Sequence, residues 1–155
     1  MSPLKKIRVT LIFFMAALVA SGVTAIPIES ELRSLLRFSN LMPSGMVNWL
    51  RSCQQAVTYT NEHYPMLAYG YDWLAFAHVV IAIAFIGPYR DPVKNVWVID
   101  WAIIACALII PTAVIFGPRR GIPSFHLFVD CLFGIIGVVP LLCCKRWIRV
   151  MYNLR

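Results

Sequence analysis

Charged residues are scarce in this sequence. Of its 155 residues, 14% are charged and 60% are hydrophobic, whereas charged residues make up about a quarter of an ordinary soluble domain. Acidic residues are the rarer kind, with seven Asp and Glu against fourteen Lys and Arg. This composition excludes a soluble globular protein and predicts an integral membrane protein.

The sequence also lacks the short motifs of several common chemistries. It contains no Cys-x-x-Cys-His, no paired Cys-x-x-Cys, no His-Glu-x-x-His, no glycine-rich phosphate loop and no Gly-x-Ser-x-Gly. Covalent haem, cysteine zinc sites, zinc proteases, phosphate-loop enzymes and serine hydrolases are therefore disfavoured. The five cysteines predict no framework of disulfides, because all except Cys53 lie in apolar runs or end one.

Four apolar runs have about the length that a helix needs to cross a bilayer, roughly 20 residues. The runs are continuous instead of alternating, which favours helices over a barrel. We therefore predict an all-α fold, namely a polytopic bundle of four transmembrane helices forming a single domain over residues 1–155. The predicted spans are 9–25, 66–87, 96–116 and 122–144.

The first span has two interpretations. Lys5 to Arg8, the apolar run 9–20 and Val23-Thr24-Ala25 also resemble a secretory signal with a small-residue cleavage site. Cleavage would leave three spans. A retained first span is the preferred interpretation, because the apolar run is near the upper length for a signal. The remaining topology is the same in both cases.

Basic residues predict the orientation of the bundle. If there are four spans, one group lies on the same side as both termini: Lys5, Lys6, Arg8, Arg90, Lys94, Lys145, Arg146, Arg149 and Arg155. The positive-inside rule then predicts a multi-pass protein of the cytoplasmic (inner) membrane, with both termini cytoplasmic and a periplasmic or extracellular loop. We assign the net charge of +7 to contact with membrane lipids and not to nucleic acid, because the basic residues flank apolar spans.

The outer loop, residues 27–65, shows amphipathic helical patterns. One stripe comprises Ile28, Leu32, Leu35 and Leu36, and a second comprises Met46, Leu50, Cys53 and Val57. Ser44 is a candidate cap for the second helix. We predict two helices that lie on the outer leaflet or cover the bundle.

Ionisable residues within or beside the apolar spans define the candidate site, because such groups are costly in lipid unless they face protein or a partner. In the fourth span, His126 and Asp130 are four residues apart and share a helix face, which Gly134 and Gly137 continue as a surface for close helix contact. We predict an outer-facing polar pocket that binds a small or lipid-like ligand. Its predicted residues are Asp72, His78, Arg119, Arg120, His126 and Asp130.

Depth counting suggests a specific contact in that pocket. His78 and Asp130 each lie about nine residues from the outer end of their span, so they are predicted to meet at a similar depth. Two interpretations stay open for the pair. It fixes helix register without any chemistry, or it is catalytic. Two histidines, His78 and His126, are weak candidates for ligating non-covalent haem b. The alternative for Asp72 is that it snorkels or pairs with Arg119 or Arg120.

Charged and turn residues near the span ends give further expectations. Asp100 is predicted to pair with Arg90 or Lys94. Gly87-Pro88 and Gly117-Pro118 are predicted to stop the second and third spans, with an arginine after each stop. A functional alternative for Arg119 and Arg120 is to hold an anionic group such as a lipid phosphate.

Three segments together resemble a group of small uncharacterised bacterial integral membrane proteins. They are 69–78 (YGYDWLAFAH), 87–99 with its Arg-Asp-Pro-Val, and 120–134 with its Arg-Gly-Ile-Pro and Asp-Cys. The likeness covers most of the chain from Ser21 onward. It implies a bacterial cytoplasmic membrane and a compact helical bundle, and it implies no activity.

Three functional classes follow. The first is a structural, accessory or ligand-binding membrane protein that is not independently enzymatic. The second is an outer-leaflet enzyme or a haem or quinone redox subunit, in which His78 carries a proton and Asp130 orients it. The third is a transporter or channel component, which would need a homo-oligomer or a larger membrane complex, since four spans show no inverted repeat.

Overall fold

The computed structural model describes residues 1–153; Arg155, one of the basic residues assigned to the terminal side, lies outside the described residues. Within that range the chain is helical and forms no strand. Single 3₁₀ turns occur at Ser39–Leu41 and Pro65–Leu67. The α-helices are α1 (Pro3–Ala25), α2 (Ile28–Leu36), α3 (Ser44–His63), α4 (Tyr69–Ala84), α5 (Ile86–Arg90), α6 (Val96–Arg119) and α7 (Ser124–Asn153).

Four helical stretches in the described part of the chain are long and apolar enough to cross a membrane: Pro3–Ala25, Pro65–Arg90, Val96–Arg119 and Ser124–Tyr152. This agrees with the four predicted spans. The main difference is at the C-terminal end, where the helix continues well past residue 144. Lys and Arg are good helix formers, so the basic segment after Cys144 extends the helix.

The chain divides into two compact units. The terminal unit comprises Met1–Ala16 together with the chain from Ala82 onward, and the middle unit comprises Ala17–Ile81. The boundaries fall within α1 and α4. Each unit is described below by itself, and the single domain expected from the sequence stays a prediction.

The terminal unit is built around the antiparallel pair α6 and α7, which share its largest interface. Two glycines allow the close approach predicted for α7. A Cβ on Gly134 would lie 2.6 Å from the Cys106 carbonyl oxygen, and one on Gly137 would lie 2.9 Å from Cys106 Sγ. Small residues at such a contact let two backbones approach closely in the absence of water.

Side chains are fully enclosed mainly towards one end of this pair. Ile99, Leu141 and Cys144 are buried there, with Ile7 and Leu11 from the N-terminal part of α1. Phe85 is also buried and its ring stacks at a tilt on Phe14, with 4.9 Å between centroids. The well-packed core of the terminal unit therefore lies beside the first turns of α6 and the second half of α7.

The turn between α6 and α7 is closed by Gly121, which corrects the prediction that Gly117-Pro118 stops the helix. The Gly121 amide donates to the Pro118 carbonyl (3.2 Å) and the Ile122 amide donates to the Gly117 carbonyl (3.0 Å), which is the Schellman pattern. Gly121 has φ +69°, a left-handed conformation that favours glycine. Pro118 is tolerated in the last turn because the helix ends immediately afterwards.

Gly87-Pro88 is likewise not the end of its helical segment. Both residues lie inside α5, which continues to Arg90, and Pro88 is fully buried. Pro88 stands in the first turn of this short helix, where a backbone amide is not needed for an intrahelical hydrogen bond. The second predicted span is therefore interrupted at Phe85, between α4 and α5.

In the middle unit, α2 and α3 pack against each other as the two amphipathic helices predicted for residues 27–65. Val47 is buried, and Leu32 and Leu50 are half-buried. The predicted cap at Ser44 is wrong: Ser44 is already helical, Pro43 occupies the capping position, and no side chain caps the helix there. Pro43 has the extended ψ of 144° that suits the residue before a helix.

Candidate functional site

The fourth span brings His126 and Asp130 together. His126 Nε2 lies 3.7 Å from Asp130 Oδ1 across one turn of α7. The two side chains remain 47% and 38% exposed, and the neighbouring Phe128 and Phe133 are exposed as well. This is an ionisable pair on an apolar, outward-facing part of the helix, and one turn of helix supplies its geometry.

Arg119 and Arg120 lie just before this pair, around the turn that Gly121 closes. Arg119 is the last residue of α6 and Arg120 is its C-cap, and both are exposed. Cations at a helix C-terminus are favoured by the helix dipole. Four of the six predicted binding residues, Arg119, Arg120, His126 and Asp130, therefore belong to the end of the α6–α7 pair that we call the Asp130 end.

The other two predicted residues, Asp72 and His78, belong to the middle unit. Asp72 is exposed and lines a shallow, open depression of about 250 Å³ with Tyr69, Trp73 and Phe76. The aromatic rings form a ladder along α4, Tyr69 to Trp73 at 5.9 Å and Trp73 to Phe76 at 5.5 Å. Such a ladder is typical of a helix face at the membrane interface.

His78 has a defined tautomer and a close helix neighbour. Its Nδ1–H donates to the Leu74 carbonyl at 2.8 Å, which leaves Nε2 as the acceptor nitrogen. A Cβ on Gly22 of α1 would lie 2.7 Å from His78 Cβ, so α1 and α4 touch at this level. A packing role for His78 is thus visible within the middle unit. The predicted contact between His78 and Asp130 joins different units and stays a prediction.

A second ionisable pair, between helices, was not anticipated. Asp100 Oδ1 on α6 lies 2.5 Å from Lys145 Nζ on α7. The prediction that Asp100 meets Arg90 or Lys94 is therefore wrong. Asp100 stands one turn into α6, so the antiparallel α7 presents a lysine to it directly, whereas Arg90 and Lys94 belong to the preceding segment. We call this the Asp100 end of the α6–α7 pair.

Two cation–aromatic contacts accompany the Asp100 end in the terminal unit. Lys6 Nζ lies 5.8 Å from the ring centroid of Trp147, and the Arg8 guanidinium lies 5.5 Å from that of Tyr89. Arg8 Nε also donates to the Tyr89 carbonyl at 3.2 Å. Basic residues here are held by aromatic and carbonyl partners, as is usual near a membrane interface.

Sequence reasoning also missed a polar cluster between α2 and α3. The Glu29 carboxylate accepts hydrogen bonds from Thr58 Oγ1 (2.9 Å), Asn61 Nδ2 (3.1 Å) and Arg33 (3.2 Å). The bonds from Thr58 and Asn61, with the charge of Arg33, lower the pKa of Glu29 from its ordinary 4.5. Thr58 and Asn61 are three residues apart, so one face of α3 presents both donors; that spacing was the available signal.

The described residues contain neither a metal-binding cluster nor a disulfide. Among residues 1–153, no three His, Cys, Asp or Glu side chains converge as a metal site would require. The cysteines, all within that range, are free thiols. Burial raises the pKa of the Cys53 thiol in α3, which makes it a poor nucleophile.

Comparison with protein families, with curated proteins and with solved structures finds no match to this chain in any of the three. The likeness to small bacterial membrane proteins that the sequence suggested therefore stays a prediction. The function must be argued from the residues themselves.

Proposed function

We propose that this chain is a multi-pass membrane protein with an accessory, ligand-binding role, in which the Asp130 end of the α6–α7 pair receives a ligand with an anionic group. The observation that carries this proposal is the half-exposed His126–Asp130 pair on an apolar helix. Ionisable side chains within an apolar span are candidates for a functional site by default.

The length of α7 supports a position inside the hydrocarbon for this pair. The candidate span Ser124–Tyr152 has 29 residues, about 43 Å at 1.5 Å per residue, while the hydrocarbon core is about 30 Å thick. The basic C-terminal segment from Lys145 onward accounts for the excess, because its charges favour the headgroup region. Asp130 is then below the membrane surface.

Arg119 and Arg120 supply the charge for an anionic ligand. Both are exposed at the turn before α7, and guanidinium groups bind phosphate and carboxylate with paired hydrogen bonds. The headgroups of anionic membrane lipids supply phosphate groups at the membrane surface. The proposal includes the bacterial inner membrane, cytoplasmic termini and an outer position of the Asp130 end, supported by the distribution of basic residues.

A charge-matched pair of variants tests this proposal. Full-length protein would be incubated with phosphatidylglycerol in mixed micelles and examined by native mass spectrometry. R119Q/R120Q removes two charges at the Asp130 end, and R90Q/K94Q removes two elsewhere. We expect retained phosphatidylglycerol to fall roughly fivefold in the first variant only, which is about 1 kcal/mol. Equal loss in both variants would contradict a specific site.

An enzyme or redox subunit is the second candidate, favoured by one observation. Because Nδ1 of His78 is engaged by the Leu74 carbonyl, Nε2 is fixed as the nitrogen that could accept a proton or ligate haem. A Soret band in protein expressed with haem available, lost in H78A, would support this candidate. The same experiment without such a band would favour the binding role. An oligomeric transporter component is the third class, and the oligomeric mass in native spectra tests it.

A further inference from the structure

The hairpin of α2 and α3 has an exposed apolar row that the preceding argument does not use. Leu35, Phe38 and Leu41 recur every three residues, and they are 46%, 60% and 83% exposed. Ile28 and Leu32, on the same helix as Leu35, are half-buried instead. The row therefore lies outside the packed face of the hairpin, and it gathers where α2 turns towards α3.

Charge is segregated along this hairpin. Arg33, Arg37 and Arg51 are exposed, and the sequence has no Asp or Glu from residue 32 to residue 61. The acids Glu29, Glu31 and Glu62 lie at the opposite end, near the neighbouring spans. Arg33 is already paired with Glu29, so Arg37 and Arg51 are the exposed arginines that remain in this acid-free stretch.

Short connections keep the hairpin close to the ends of two candidate spans. Two residues, Ile26 and Pro27, join α1 to α2, and only Tyr64 separates α3 from the next candidate span. At no more than about 3.6 Å per residue, these links hold both ends of the hairpin near the surface that the spans enter. An apolar row flanked by arginines at that level is the signature of an interfacial segment.

We propose that Leu35, Phe38 and Leu41 insert into the headgroup region of the adjacent leaflet, where Arg37 and Arg51 bind anionic lipid headgroups. The apolar row gives insertion, and the local excess of positive charge gives the preference for anionic lipid. This surface shares no residue with the Asp130 end, so the inference does not rest on the proposed function.

Cysteine accessibility in nanodiscs tests the insertion. Full-length L41C and N40C would be reconstituted at one copy per disc, in phosphatidylcholine alone or with one-third phosphatidylglycerol, and treated with a charged maleimide. Asn40 is an exposed polar neighbour of Leu41 and serves as the matched control. The wild-type protein, with its five native cysteines, gives the background rate that is subtracted from both variants. We expect L41C to react roughly tenfold more slowly than N40C in the anionic discs.

Charge variants test the headgroup preference. In L41C, R37Q/R51Q is expected to abolish the difference between the two kinds of disc, whereas the charge-matched R90Q/K94Q should leave that difference intact. Equal rates for L41C and N40C in anionic discs would overturn the insertion. Protection that is the same in both lipids would overturn the role of anionic headgroups. Protection that appears only with two copies per disc would overturn lipid insertion, because a second copy of the chain would then cover the apolar row.

Discussion

The two ends of the α6–α7 pair carry ionisable pairs that differ in whether one helix or two helices supply the side chains. At the Asp100 end, Asp100 and Lys145 come from different helices, 2.5 Å apart beside the buried Ile99 and Cys144. At the Asp130 end, His126 and Asp130 belong to one helix, 3.7 Å apart among exposed side chains. The first pair joins α6 to α7. The second pair lies within one helix and joins no other element, which is why we propose a binding role for it and not a packing role.

The largest expected effect concerns the close contact of α6 and α7 at Gly134, which lies between the two ends. G134V places a branched side chain 2.6 Å from the Cys106 carbonyl, a backbone atom that cannot move without shifting α6. We expect destabilisation of about 3 kcal/mol, measured by thermal unfolding in detergent. G45A is the control, since a Cβ there meets nothing within 4 Å. Unchanged stability in G134V would mean that α6 and α7 do not pack through this glycine.

The turn that sets the Asp130 end gives the next effect. G121A forces a side chain onto a residue at φ +69°, which costs about 1 kcal/mol. G121N should cost less, because asparagine tolerates the left-handed region better. Chemical denaturation of the two variants measures the difference. Equal losses for alanine and asparagine would show that the conformation of this turn is not the cause.

A pair of double-mutant cycles tests the comparison itself. The cycle D100N/K145Q is expected to give a coupling energy of about 1 kcal/mol, discounted because both side chains are two-fifths exposed. The cycle H126Q/D130N should give no more than about 0.3 kcal/mol, the usual size for neighbours on one helix. Coupling energies that are equal, or reversed, would remove the distinction between a structural and a binding pair.

The Glu29 cluster, outside the spans, is a reference for a polar group that is fully satisfied. Its pKa in the folded protein is lowered, so its carboxylate stabilises the α2–α3 contact above the ordinary value of 4.5. That stabilisation is lost as the pH falls through the lowered pKa. Hydrogen-exchange protection of α2, corrected for intrinsic rates, should fall over that range in wild type and in E31Q, but stay flat in E29Q. A flat wild-type profile would contradict the role of Glu29.

The sequence predicts the long helices well because their apolar runs are continuous and are longer than a β-strand. It also predicts the close contact at Gly134 and Gly137, because small residues one helical turn apart on an apolar helix allow a neighbouring backbone to approach closely. It fails where the answer depends on which residues face each other across helices. Asp100 was assigned to cations nearby in sequence, and Lys145 became its partner only through the antiparallel register of α6 and α7.

The sequence predicted that glycine and proline end α6, but it did not predict which of these residues closes the turn. Three glycines or prolines compete to end α6, and the left-handed conformation falls on Gly121 because the helix runs through Pro118 before it closes. The Glu29 cluster depends on the register of α2 against α3, which hydrophobic periodicity does not specify. Of the candidate site, the pair on one helix follows from spacing alone, whereas contacts between helices do not.

One consequence of the continuous α7 concerns bilayer thickness. Asp130 and Lys145 are 15 residues apart on the same helix, about 22 Å along its axis, which is less than the roughly 30 Å of a typical hydrocarbon core. In a bilayer of that thickness, Asp130 and Lys145 can both reach water only through snorkelling or local thinning of the lipid, because tilting the helix would shorten their separation across the membrane. Because α7 fixes the distance between these two charged residues, we expect thin membranes to accommodate this protein best.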